Sequence, residues 1–271
     1  MSASRFTAYS RFTAYSRMFA AAFRANLRAA VEYRANFAVQ VLGMMLNNAA
    51  FVVFWSVLFE RAGKLGGYGF GETMRIWALV SSSFGLALVL FGNARALGDI
   101  VKRGELDVYL LQPKDPLFNL LTARTQVSAW GDFAYGYLVM LLLKAAPAEL
   151  ALFALFTVSG AFIFTSIFVM AESLTFFLGS SSGISNAVLE FLLSFSLYPE
   201  SVFPGGMRWV FYSLLPSGFI AFLPLAAFRA AAPAIAAVVL AAAVVYPAAA
   251  AALFRAGLKR YESGSRIGTR D

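Results

Sequence analysis

The 271-residue chain contains no cysteine and no histidine. Without cysteine it forms no disulfide and no thiolate metal site, and its redox compartment leaves no mark. Without histidine the commonest general base and the usual zinc ligand are missing, which removes most hydrolase and metalloprotease readings. No phosphate-binding loop of the GxxxxGK[ST] type occurs; Gly63-Lys64 lacks the preceding glycine spacing. ATP hydrolysis by that route is excluded, and no catalytic, cofactor-binding or metal-binding residue is assigned. Charge is also scarce, at 13% of residues against 60% hydrophobic, with a mean hydropathy of +0.72. The arginine-rich, aromatic N-terminus lacks the apolar core and small-residue cleavage site of a secretory leader.

What the chain has is six long apolar stretches separated by short charged connections. Leu150 to Ala171 runs 22 residues without a charge, and Ala230 to Phe254 runs 25. A helix needs about 20 apolar residues to cross a hydrocarbon core of roughly 30 Å. The predicted fold is an all-α membrane protein with six transmembrane helices: Asn36–Phe59, Arg75–Gly92, about Val127–Leu143, Leu150 to about Phe177, about Ile184–Tyr198 and Ala230–Phe254. Residues 1–35 form a cytoplasmic or interfacial segment, 36–254 the membrane domain and 255–271 a basic tail.

Lysine and arginine set the orientation. Arg5, Arg11, Arg17, Arg24, Arg28 and Arg34 precede the first span. Arg95, Lys102, Arg103, Lys114 and Arg124 follow the second, and Arg255, Lys259, Arg260, Arg266 and Arg270 follow the last. The opposite side holds Arg61, Lys64, Arg75, Lys144, Arg208 and Arg229. An excess of sixteen over six places both termini in the cytoplasm. It also accounts for the net charge of +8 without a nucleic-acid partner.

Ahead of the first span, Phe19, Phe23, Leu27 and Val31 recur at i+4, with Arg17, Arg24 and Arg28 opposite. That pattern suits an amphipathic helix lying in the headgroup plane; a helix packed on a protein partner is the other reading. The verbatim repeat RFTAYS at 5–10 and 11–16 is too short for a repeat architecture and carries no function.

Two regions break the pattern of simple spans. Between Pro199 and Phe228 the chain is apolar but interrupted by Pro204, Gly205, Gly206, Pro216 and Pro224. Its pieces, Trp209–Leu215 and Phe219–Phe228, are too short to cross, which predicts an outer re-entrant helical hairpin before the last span. The second is the connection from Arg95 to Leu120. Leu97, Ile100 and Val101 share helical spacing, so a short amphipathic helix should stop near Gly104, with Pro113 and Pro116 forcing an extended turn. Such a connection is longer than two packed helices require, which points to a contact outside the chain.

Three carboxylates fall within or beside spans. Asp132 is expected near the cytoplasmic start of the third, Glu172 near the inner end of the fourth, and Glu190 in mid-membrane. Without histidine or lysine partners they read as locally paired groups rather than a proton relay. Asn47, Asn48, Ser81, Ser82, Ser83 and Gly85 are expected to serve close helix packing.

Three stretches carry a resemblance: YRANFAVQVLG (33–43), RGELDVYLLQPKDPLF (103–118) and SSGISNAVLEFLLSFSLYPESVFP (181–204), the last followed by two Leu-Pro pairs at 215–216 and 223–224. With these the chain resembles the membrane subunits of ATP-binding-cassette exporters of the type-2 permease family, in the bacterial six-span branch of about 260 residues. The Gly-Glu-Leu-Asp and Pro-x-x-Pro-Leu-Phe of the second stretch are the most specific match.

The resemblance implies a multi-pass permease of the bacterial inner membrane that is not itself an enzyme. Two such permeases, identical or sibling, would each dock on one of two ABC ATPase subunits, which bind ATP and Mg. By analogy the coupling residues are Arg95, Asp99, Lys102, Arg103, Gly104, Glu105 and Asp107, forming a cytoplasmic coupling helix flanked by the N-terminal amphipathic helix. The first, second and fifth spans would line a path at the permease–permease interface for an amphipathic or lipid-like cargo. A proton-coupled secondary transporter and a membrane scaffold subunit are the alternatives; the missing internal repeat and the missing intramembrane charge pairs count against the former.

Overall fold

A computed structural model describes residues 3–198, 200–203, 205–230 and 232–261, the side chains of 3–12 and 230 excepted. Pro199, Pro204, Arg266, Arg270 and the side chains of Arg5 and Arg11 lie outside the described residues. Helix makes up 82% of the structure and no strand forms among the described residues, so the chain is an all-α membrane protein.

In chain order the helices are α1 (Ala3–Glu32), α2 (Arg34–Ala62), α3 (Phe70–Leu90), α4 (Leu97–Lys102), α5 (Asp107–Leu110), α6 (Pro116–Thr122) and α7 (Ala129–Leu142). They continue with α8 (Pro147–Ser173), α9 (Thr175–Leu178), α10 (Ser182–Leu197), α11 (Arg208–Phe211), α12 (Leu223–Ala230) and α13 (Pro233–Leu258). Local signals set their starts. Proline occupies the first helical position of α6, α8 and α13, where its missing N–H leaves no bond unmade. This trims the last span, expected from Ala230, to begin at Pro233. At α3 the Glu72 carboxylate turns back to accept the Gly69 N–H at 3.0 Å.

Among the described residues, four helices are long and apolar enough to cross a membrane: α2, α3, α8 continued through α9, and α13. The expected third and fifth spans are the shorter helices α7 and α10, of 14 and 16 residues. At 1.5 Å per residue α7 reaches only about 21 Å. The chain ahead of it makes up the depth without helix, running beside the last turn of α3. The Gly92 N–H donates to Arg124 O at 3.0 Å, the Gln126 N–H to Leu88 O at 3.1 Å, and Thr125 Oγ1 to Val89 O at 2.9 Å. Irregular backbone survives here because it is bonded to the neighbouring helix end, with residues 125–128 partly covered by protein.

α3 and α8 are the centre of the bundle. Their most apolar windows are 78% and 72% buried, against 11% for α2 and 22% for α13. α7 and α8 pack on α3, α13 on α8 and α2 on α7, with α10 leaning on α3 and α8. The α3–α7 crossing is held by small residues. A Cβ added at Gly85 would fall 2.7 Å from Ala129 O and 2.9 Å from the Asp132 Cβ; one at Gly136 would overlap Ala78 O and Ser82 Oγ. At that distance Ser81 Oγ donates to Asp132 O at 3.0 Å and Ser82 Oγ to Phe133 O at 2.9 Å. Small residues that let backbones touch replace the hydrophobic drive that lipid cannot supply.

The region before the last span is a broken hairpin, but its halves are unequal. The first is a pair of short 3-10 turns, Glu200–Val202 and Gly205–Met207, leading into α11. The second is a π-helical turn at Gly218–Phe222 that runs directly into α12. Trp209 and Leu214 stay exposed, whereas Phe211 and Leu215 are buried together with Ile220, Ala221 and Phe222, so both halves reach the core and the second does so more fully. Pro216 sits in the turn between the halves and Pro224 in the first turn of α12, where a preceding π turn has already loosened the backbone pattern.

Replacing Gly85 by leucine should cost about 1–3 kcal/mol through overpacking, whereas Ser81→Ala should cost about 0.6 kcal/mol. Thermal unfolding in detergent, followed for each variant beside the parent chain, checks this ordering.

Candidate functional site

The connection between α3 and α7 is a folded elbow rather than a loop. Gly92–Ala96 forms a 3-10 turn, α4 follows, and Gly104 ends it with φ +71°. The Gly104 N–H donates to Val101 O at 3.2 Å and the Glu105 N–H to Ile100 O at 3.0 Å. This pair of bonds is the Schellman arrangement, which needs a left-handed residue where glycine stands. Leu97, Ile100 and Leu106 are buried beneath it. Farther on, the Asp115 carboxylate caps α6 by accepting the Phe118 N–H at 3.0 Å, so the expected extended turn is a turn followed by a helix.

The charged residues expected here divide by environment. Arg95, Asp99, Lys102, Arg103 and Glu105 are exposed, while Gly104 and Asp107 are half-buried. Lys102 Nζ pairs with Asp99 at 3.3 Å. Arg103 grips Glu105 through two bonds, at 2.6 and 3.1 Å. That grip holds the Glu105 carboxyl below its ordinary range and raises the Arg103 guanidinium above its own. The Glu105 contribution is therefore complete above the ordinary carboxylate range and disappears as pH falls through its lowered pKa. Asp107 lies beside Tyr261, whose phenol burial and this neighbour push up to about 12.

Beneath the elbow lies a buried polar node. An added Cβ at Gly98 would meet the Glu172 carboxylate and come within 2.7 Å of Thr175 Oγ1. Glu172 accepts from Ser185 Oγ at 2.5 Å and from Ser181 Oγ at 3.3 Å. Glu172 lies in the last turn of α8, Thr175 begins α9 and Ser185 is in α10. The helix at the surface thus touches the joint between α8 and α10.

Two further elements brace the elbow. On α1, Phe19 lies 6.3 Å from the Phe91 ring and 6.4 Å from Phe118, and Phe23 lies 6.2 Å from Trp130. Asn26 Nδ2 donates to Thr122 O, and Lys114 Nζ to Ala14 O, both at 3.0 Å. Arg17, Arg24 and Arg28 point outward and Leu27 is half-buried. The aromatic positions of the amphipathic stripe therefore lie against the elbow end of this same chain. From the other side, Arg255 at the end of α13 reaches Asp115 at 3.6 Å.

At the opposite end the hairpin is tied down by short polar links. Ser196 Oγ bonds Ser217 Oγ at 3.0 Å, Tyr246 donates to Ser213 O at 2.8 Å, and Ser201 Oγ donates to Gly66 O at 2.6 Å. Gly205 and Gly206 are exposed near Arg208, which pairs with Glu200 at 3.1 Å.

Between these ends a cleft of about 290 Å³ opens between α2 and α10, with α3 as its floor and α7 at its depth. Asn48, Phe51, Trp77, Phe84, Asp132 and Leu193 are among its lining residues. Asp132, expected near the cytoplasmic start of a span, lies instead beside Ser81 and Asn48, at the middle of α3 and α2. The reason is the non-helical run of 123–128, which carries the chain inward before α7 begins. Glu190, in contrast, is exposed near the middle of α10.

The family model described as ABC-2 family transporter protein matches residues 45–265. The chain belongs to the ABC-2 transporter family. No curated protein and no solved structure is similar enough to add to that comparison. An ABC-2 permease is a membrane subunit, in general served by an ABC ATPase, and no ATPase domain is evident in this chain.

Inspection of charge alone passed over two exposed apolar residues of the elbow. Val108 is 63% exposed and Leu111 87% exposed, on an element otherwise rich in charge. Their signal was present in the run VYLLQ, where apolar residues exceed what one buried face of a single helical turn can absorb. Arg103→Ala should return the Glu105 carboxyl to near its ordinary 4.5, which a carbon-detected NMR titration of the labelled side chain measures directly.

Proposed function

We propose that this chain is the permease of an ATP-driven exporter, inserted in the cytoplasmic membrane of a bacterium with both termini inside. It works as one of two permeases, each docked on its own ABC ATPase, and ATP and Mg bind in those partners. The observation that carries this reading is the elbow: an exposed apolar pair, Val108 and Leu111, ringed by charge and backed by a braced, buried underside. Apolar surface beside charged groups outside the hydrocarbon region calls for a protein partner. Arg95, Asp99, Lys102, Arg103, Glu105 and Asp107 then supply the polar rim.

The same geometry offers a route for force. Closure of the ATPases presses on α4, and Gly98 bears on Glu172 and Thr175. Because Glu172 is bonded to Ser181 and Ser185, that pressure reaches α10, which forms one wall of the cleft. Movement of α10 relative to α2 changes the width of the cleft, and the hairpin around Gly205, Gly206 and Pro216 gates the far end. Apolar walls suit an amphipathic or lipid-like cargo, since a small hydrated ion would need more ligands than the cleft offers.

A paired permease is supported by Glu190. A carboxylate on the lipid-facing side of a helix costs about 2.5–3.5 kcal/mol at mid-membrane. Contact with a second permease, or with a path between the two, removes that cost.

Leu111→Asp should leave the thermal stability of the isolated permease within about 0.5 kcal/mol of the parent and abolish copurification of the ATPase. Gly98→Val should retain the ATPase but lose permease-stimulated hydrolysis by about tenfold or more, a loss of ~1.4 kcal/mol of coupling. Copurification that survives Leu111→Asp unchanged would remove the docking assignment; full stimulation in Gly98→Val would remove the proposed route.

A further inference from the structure

Resting on the exporter reading, we propose that the cleft between α2, α3, α7 and α10 binds an amphipathic cation, with Asp132 receiving the positive head and aromatic rings flanking it. Asp132 is 6% exposed, and its Oδ1 accepts from Asn48 Nδ2 at 2.6 Å. No lysine or arginine among the described residues forms an ion pair with it. Three other acids have basic partners, Glu149 with Arg75, Glu72 with Arg229 and Glu200 with Arg208, while buried Glu172 is received by Ser181 and Ser185 away from the cleft. Among the acids of the described residues, Asp132 alone combines near-complete burial, membrane depth and a place on the lining of an open cleft.

The walls have the complementary chemistry. Phe51 and Trp77 lie with ring centroids 4.4 Å apart, and Phe84 lines the same cleft. Aromatic faces attract an organic cation, most strongly where water is excluded. One carboxylate among apolar and aromatic side chains fixes the orientation of a ligand whose remaining surface is hydrophobic. A neutral amphiphile would leave the carboxylate without compensation, and an anion would be repelled by it. Asn48 stays on one oxygen, which leaves Oδ2 for the head group. The volume of about 290 Å³ holds a compact head, and the opening between α2 and α10 lets an apolar tail lie toward the membrane or a second permease.

The test uses the full chain in nanodiscs and two near-isosteric probes of opposite charge, tetraphenylphosphonium and tetraphenylborate. Saturable binding is measured after subtraction of empty discs. The cation should bind the parent chain at least about tenfold more tightly than the anion, as expected for a charge-assisted contact. Asp132→Asn, which keeps the side-chain shape, should weaken the cation about tenfold and leave the anion no weaker; Glu60→Gln, at an exposed acid near the C-terminal end of α2, should change neither.

Equal affinity for the two probes in the parent chain overturns the proposal, even if Asp132→Asn does not fold. Unchanged cation binding in a folded Asp132→Asn variant overturns it as well, leaving Asp132 a packing group. ATPase stimulation in the permease–ATPase complex is read in parallel. Stimulation without cation preference removes the cargo assignment alone, whereas failure to copurify any ATPase removes the exporter reading whatever the probes do.

Discussion

A polar group at membrane depth has no water to turn to, so it must find its partner inside the bundle. Much of this structure follows from how that constraint is met. Ser81 and Ser82 donate across the α3–α7 crossing to backbone carbonyls, which is possible only because Gly85 and Gly136 let the helices approach so closely. The unwound chain at 123–128 bonds back to the last turn of α3. Glu172 is received by two serines. These bonds set the register of α7, and that register in turn brings Asp132 to the depth of the cleft.

The elbow belongs to the same scheme. Its underside is apolar and fixed, with α4 capped at Gly104, α1 packed through tilted rings on Phe91 and Phe118, and Arg255 closing from α13. Its outer side keeps charge pairs that are individually weak, because solvent screens them, together with Val108 and Leu111. A rigid base under a polar and apolar outer surface suits the ABC-2 family, whose members in general receive their energy from an ATPase subunit.

The fold was legible in the sequence wherever it depends on local chemistry. Runs of 22 and 25 uncharged residues, prolines at helix starts and the glycine that stops α4 are signals carried by a few neighbouring residues. The interrupted hairpin was legible for the same reason, since proline and glycine disrupt helix wherever they fall. Its unequal halves were not, because Trp209 and Phe222 look equally apolar until the core decides which is covered.

The sequence by itself determined that this chain is helical and membrane-embedded and where its charged elbow lies, because hydropathy and breakers act over a helix length or less. Only the tertiary structure decided that Asp132 meets Asn48 in mid-bundle, that Gly98 rests on Glu172, and that Glu190 faces outward. Those outcomes depend on the relative depth and rotation of helices far apart in the chain, quantities that no run of neighbouring residues encodes.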